Sequence, residues 1–209
     1  MVFYYTTLAL SNLLLIIAFI FGIRKHKLFQ KEKKWFLYYL GFILGIEIII
    51  KSCIFIFELR DINFLYPFYI SGEFLILLMM FVFNLGINRK WLSIIYLIGG
   101  IIFIEGAYLW LHDHDVSDGY GKIVSHLLII CIVAYSLMKE LKNIEIENKF
   151  TLIYACLLLY YSISLFLFLL LPQLNNLTSS SAYIIWSMNN ILSSCLYAVS
   201  LYTFLLLKK

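Results

Sequence analysis

The sequence predicts an all-α membrane protein of seven transmembrane helices, with its amino terminus outside and its carboxyl terminus in the cytoplasm. Three observations predict it. The 209 residues are 63% hydrophobic and only 13% charged, with a mean hydropathy of +0.93. A soluble domain would be about half apolar and about a quarter charged. Apolar runs of about 20 residues recur, the length that crosses about 30 Å of hydrocarbon at 1.5 Å per residue. The short polar stretches between these runs alternate in charge.

The spans are expected at about 3–23, 36–57, 62–87, 91–111, 120–139, 151–171 and 181–207. Span one has no basic segment before its apolar run and no small-residue cleavage pattern after it, so it reads as a helix rather than a signal peptide. Stretch 24–34 then supplies Arg24, Lys25, Lys27, Lys31, Lys33 and Lys34. Spans two and three are joined across Arg60 and Asp61, and spans three and four across Arg89 and Lys90. Span four leads to His112, Asp113, His114, Asp115 and Asp118, with Lys122 just beyond. Span five ends in stretch 139–149, with Lys139, Lys142 and Lys149; span seven ends in Lys208 and Lys209.

Thirteen basic residues therefore gather on one side, against Arg60 and Lys122 on the other. The positive-inside rule assigns the thirteen to the cytoplasm, and seven crossings then place Met1 outside. Trp35 and Trp91 fall at inner ends and Trp110 at an outer end, as interfacial belt residues do. With only two prolines, most helices are expected to be straight. The expected setting is a bacterial inner membrane.

Several function classes are excluded. The net charge of +4 lies in membrane-flanking loops rather than along one soluble face, so nucleic acid is not the partner. No loop is long enough for a soluble catalytic domain, which needs about 50 residues; the chain is expected to be one bundle without such a domain. Cys53, Cys131, Cys156 and Cys195 each fall within a span, show no CxxC spacing and read as buried free thiols. No cofactor is implied.

Ionisable groups at membrane depth are costly and usually face a bundle interior or a water-filled cavity. The chain has Glu47 and Lys51 in span two, Glu73 in span three, Glu105 in span four and His126 in span five. Asn12 in span one and the Asn189–Asn190 pair in span seven join them. The orientation places all of them between the midplane and the outer interface, so a polar cavity open to the outside is expected. Glu47, Lys51, Glu73, Glu105, His126, Asn12 and Asn190 are its candidate ligand or ion contacts. Glu47 and Lys51, four apart, share a helix face and suit an ion pair, and Glu58 would continue that face. Tyr69, Glu73, Met80 and Asn84 share a face of span three; Tyr183, Asn190, Ser194 and Tyr197 share one of span seven. Tyr154, Tyr161 and Ser164 do so on span six. Asn12 and Asn190 equally suit interhelical hydrogen bonds, and Gly41 with Gly45 suits close helix packing. His112 and His114 have metal-ligand spacing, although a solvated acidic turn explains the loop without a metal.

The leading functional expectation is a sensor or receptor-like bundle. Its outward cavity binds a small ligand, and stretches 24–34 and 139–149 meet a cytoplasmic protein partner or anionic lipid. Seven-helix sensory modules of bacterial kinases offer an analogy of architecture alone. A small transporter or a cation or proton channel is the alternative. The seven-helix sugar transporters of the PQ-loop type carry a repeated Pro-Gln, whereas Pro172-Gln173 occurs once here. An intramembrane metal-dependent hydrolase would need more histidines than His126 within the spans. An accessory or effector subunit of a larger system, such as a defence system, stays open on composition. The rhodopsins need a lysine in the last helix, and span seven has none before Lys208.

Overall fold

The computed structural model describes residues 2–31, 33–59, 61–86, 90–112, 114, 119–142, 149–170 and 179–207, with the side chains of all but 179–182. Among these described residues seven α-helices follow one another: α1 (Val2–Lys25), α2 (Lys34–Phe55), α3 (Tyr66–Leu85), α4 (Lys90–Leu111), α5 (Gly121–Lys142), α6 (Thr151–Leu170) and α7 (Ser179–Leu206). Each is long and apolar enough to cross a membrane. A backbone crossing hydrocarbon would find no water to bond, and a helix meets that demand by closing its hydrogen bonds internally.

Local signals account for the ends. Pro67 sits in the first turn of α3, where its missing N–H costs nothing. Gly86 ends that helix in the left-handed conformation at φ 65°, and its N–H returns to the carbonyls of Val82 and Phe83. The end of α2 differs from the expected 57. The helix stops at Phe55, the N–H groups of Ile56 and Phe57 both turn back to the Ser52 carbonyl, and Glu58 takes a left-handed φ of 51°. Glu58 therefore leaves the Glu47–Lys51 face instead of continuing it. A non-glycine residue seldom adopts this φ, so the break was not visible in composition.

Internal contacts divide the chain into two compact units, Met1–Gln30 with Leu127–Lys209, and Lys31–His126. In the first unit α7 packs against both α1 and α6. In the second α3 packs against both α2 and α4. The first turns of α5 belong to the second unit and the rest of that helix to the first.

In the first unit, α1 and α7 run parallel. Tyr4 lies beside Tyr183 at 5.7 Å, Ser11 bonds Ser193, and the Lys25 ammonium donates to the Leu207 carbonyl at 2.7 Å. The buried residues of α1 are Thr7, Ser11, Leu15, Ala18 and Gly22, a stripe at helical spacing and mostly small. Small side chains let two membrane helices approach closely where no hydrophobic force joins them. At the far end Phe29, Phe150 and Phe204 form a buried ring cluster with centroids 5.1–6.4 Å apart. Lys25 and Lys149 donate to the Leu207 and Leu206 carbonyls, which the end of α7 leaves without helical partners. Cations at this end also suit the helix dipole.

In the second unit, α3 runs antiparallel to α2 and α4. Trp35 stacks on Phe83 at one end, and Phe64 meets Trp110 at the other. The closest approaches rest on glycines. A Cβ on Gly106 would stand 3.2 Å from the Pro67 Cα, and one on Gly99 only 2.7 Å from Leu75. Ile95, Gly99, Ile102 and Gly106 form the buried stripe of α4. Gly45, by contrast, has nothing within 4 Å of an added Cβ. The close packing expected at Gly41–Gly45 is thus absent within the chain at Gly45, and α4 supplies the packing glycines instead. The thiols also depart from expectation: Cys53 is buried and Cys156 half-buried, but Cys131 and Cys195 are exposed on the apolar surface.

Candidate functional site

Among the described residues, buried ionisable groups gather in the second unit, around Glu73. The spacing of α3 puts Glu73 on its buried side, and the residue is only 3% exposed. The Tyr39 hydroxyl reaches it from α2 and donates to Oε1 at 3.4 Å, a long bond. Lys122, the second residue of α5, interacts electrostatically with the Glu73 carboxylate. His126, one turn further along α5, is buried; its ring bonds the Lys122 backbone and lies 3.3 Å from the Ser125 hydroxyl. A carboxylate, an ammonium, an imidazole and a phenol thus meet where α2, α3 and α5 adjoin.

Glu105 holds the beginning of α5 from α4. Its Oε1 accepts the Tyr120 backbone N–H at 2.7 Å. Its Oε2 would stand 2.7 Å from a Cβ on Gly121, so a side chain there would collide with the carboxylate. A carboxylate against these first amides suits the positive end of the α5 dipole. Between α3, α4 and this turn lies a small cleft lined by Tyr66, Pro67, Ile102, Glu105, Gly106 and Lys122, among others, with room for about one water molecule. Lys122 therefore borders the cleft and answers Glu73 at once.

The other sequence candidates lie elsewhere. Glu47 and Lys51 form an ion pair on α2 at 3.9 Å, with side chains 31% and 45% exposed. Asn190 donates to the Thr7 hydroxyl at a long 3.5 Å, and Ser11 shares a 2.8 Å hydrogen bond with Ser193. These contacts join α1 to α7 directly in the first unit. Asn12, on α1, is half-buried. On α6, Tyr154, Tyr161 and Ser164 are all buried, as their shared face suggested.

His112 bonds the Tyr108 carbonyl through Nδ1 at 2.9 Å, and its ring packs 4.2 Å from the Tyr108 ring. His114 stacks 6.3 Å from His112. Among the described residues no three His, Cys, Asp or Glu side chains gather as a metal site. Asp113, Asp115 and Asp118 lie outside the described residues, as do most of 139–149 and Pro172-Gln173.

Sequence reasoning missed Lys122 and Tyr39. Lys122 read as a topological charge in an outer loop. Its i, i+4 relation to His126 was the available signal, because residues four apart share a helix face. Tyr39 gave no signal among sixteen tyrosines. Comparison with protein families, with curated proteins and with solved structures yielded no match.

Proposed function

We propose that the chain is an integral protein of a bacterial inner membrane, amino terminus outside, that senses a small ligand at the Glu73–Lys122–His126 cluster. The observation that carries this reading is Glu73, buried within a span and answered by Tyr39 and Lys122 rather than by lipid. Ionisable groups so placed mark ligand sites or ion paths more often than packing devices. The charge asymmetry of the loops supports the orientation, which puts the cluster in the outer half. The ligand enters beside Glu105 and competes with Lys122 for the Glu73 carboxylate, so it carries a small cationic or hydrogen-bonding group. The released Lys122 shifts the first turn of α5, and stretches 24–34 and 139–149 report that shift to a cytoplasmic protein partner.

The test is thermal unfolding of the full chain in nanodiscs against a panel of small amines, amino acids and monovalent cations. At least one is expected to raise the midpoint of the natural chain and leave that of Glu73→Gln unmoved. A ligand at 100 times its Kd adds about 2.7 kcal/mol, several degrees of shift. A panel that moves neither chain, or both alike, overturns the reading.

A second reading, proton or cation movement, is favoured by the size of the cleft, which suits one water better than an organic molecule. Liposomes carrying an internal pH dye distinguish it. Flux that Glu73→Gln abolishes supports conduction, and its absence leaves sensing.

A further inference from the structure

The C-terminal half of α2 carries a surface that the chain itself leaves open. Tyr39, Phe42 and Trp35 turn toward α3, where they meet Glu73, Gly72 and Phe83. On the other side lie Ile48, 57% exposed, and Phe55, 79% exposed, two turns further along. The Glu47–Lys51 pair sits at the edge of this face, partly exposed. Glu47 lies 13 residues into a 22-residue helix, close to mid-span. An apolar face here would need no cover, since lipid covers it. An ion pair does, because charge at that depth is costly against hydrocarbon.

We infer that this face of α2 is the contact with a second copy of the chain, joined across a twofold axis along the membrane normal. The argument is charge complementarity. A copy related by that axis presents the same pair at the same depth, so Glu47 meets Lys51 of the other copy and Lys51 meets Glu47. All four charges are matched with no additional residue, as an isologous interface requires. The two groups differ in depth by about 6 Å, four residues of rise, which these long side chains bridge where the helices cross. The inference is independent of the ligand reading, since none of these side chains contributes to the Glu73 cluster.

The test uses full-length chains in liposomes, with subunits counted by single-molecule photobleaching. The natural chain is expected to give two subunits per spot. Glu47→Lys alone and Lys51→Glu alone each set like charges against their copies, and each is expected to weaken dimerisation about tenfold or more. Co-expressed, the two variants are expected to form mixed dimers again. Neither variant retains its own i, i+4 pair, so the recovery reports the contact between copies. A monomeric natural chain, single variants that dimerise normally, or no recovery on mixing overturns the inference. Should the charge variants fail to fold, Ile48→Cys in a chain with its four cysteines changed to alanine keeps it testable. Oxidation is expected to link Ile48→Cys chains into dimers and to leave Ile101→Cys chains, exposed on α4, unlinked. Equal linking at both positions, or at neither, overturns it, as does linking of Ile48→Cys to other proteins only.

Discussion

The two compact units join their helices by different means. In the first, α1 and α7 meet through Thr7, Ser11, Asn190 and Ser193, all neutral groups. Several hydroxyls of α7 are satisfied within their own helix: Ser187, Ser194 and Ser200 donate to carbonyls four residues back at 2.6–2.7 Å. In the second, α2, α3 and α5 meet through Glu73, Tyr39 and Lys122, with His126 against Lys122 on α5. A hydroxyl seam can lose a member and close over with small loss. A charged group left alone in the interior cannot. The neutral seam should thus tolerate substitution, and the charged cluster should not.

Lys122→Met offers the largest break in that comparison. It leaves the Glu73 carboxylate without its ammonium, and breaking a buried pair on one side costs about 3–5 kcal/mol. Equilibrium unfolding in nanodiscs should show that loss, and the double variant Lys122→Met with Glu73→Leu should recover much of it. A single variant no less stable than the natural chain would mean that the carboxylate is not held by Lys122.

Gly106→Leu comes next. The added side chain meets the Pro67 backbone, which cannot rotate aside, and overpacking of this kind costs about 1–3 kcal/mol. Gly45→Ala is the matched control. Nothing lies within 4 Å, so replacing a mid-helix glycine should stabilise the isolated chain by about 0.5–1 kcal/mol. Equal effects at the two positions would contradict the difference in packing.

Ser11→Ala should have the smallest effect. One interhelical hydrogen bond is lost while Ser193 keeps its bond to the Asn190 carbonyl, and such membrane bonds average about 0.6 kcal/mol. A loss as large as that of Lys122→Met would erase the distinction between seam and cluster.

The helices were legible in the sequence because a span is a matter of length and hydropathy, and both are local. All seven appear where the apolar runs stand, with ends within a few residues. Helix faces were legible where hydrogen-bonding residues recur at helical spacing, as for Tyr154 with Tyr161 and Ser164, all buried. Which helix meets which was not. Lipid-facing and helix-facing surfaces are equally apolar, so hydropathy carries no sign of the neighbour. Gly45 and Gly106 look alike in sequence, yet only Gly106 lies against another backbone. For the same reason the partners of Glu73 remained hidden: Lys122 stands 49 residues away, at a helix start where a basic residue reads as topology.

The pairing of α1 with α7 has a consequence for biosynthesis. The main neighbour of α1 is α7, and more than 150 residues separate the two. During translation α1 is complete, with Ser11 and the end at Lys25 still without their α7 partners, well before α7 emerges. Contacts so distant in sequence form slowly and leave an exposed intermediate. A ribosome stalled before α7 would therefore hold a chain whose charged cluster can already assemble but whose first helix is still open to other membrane helices.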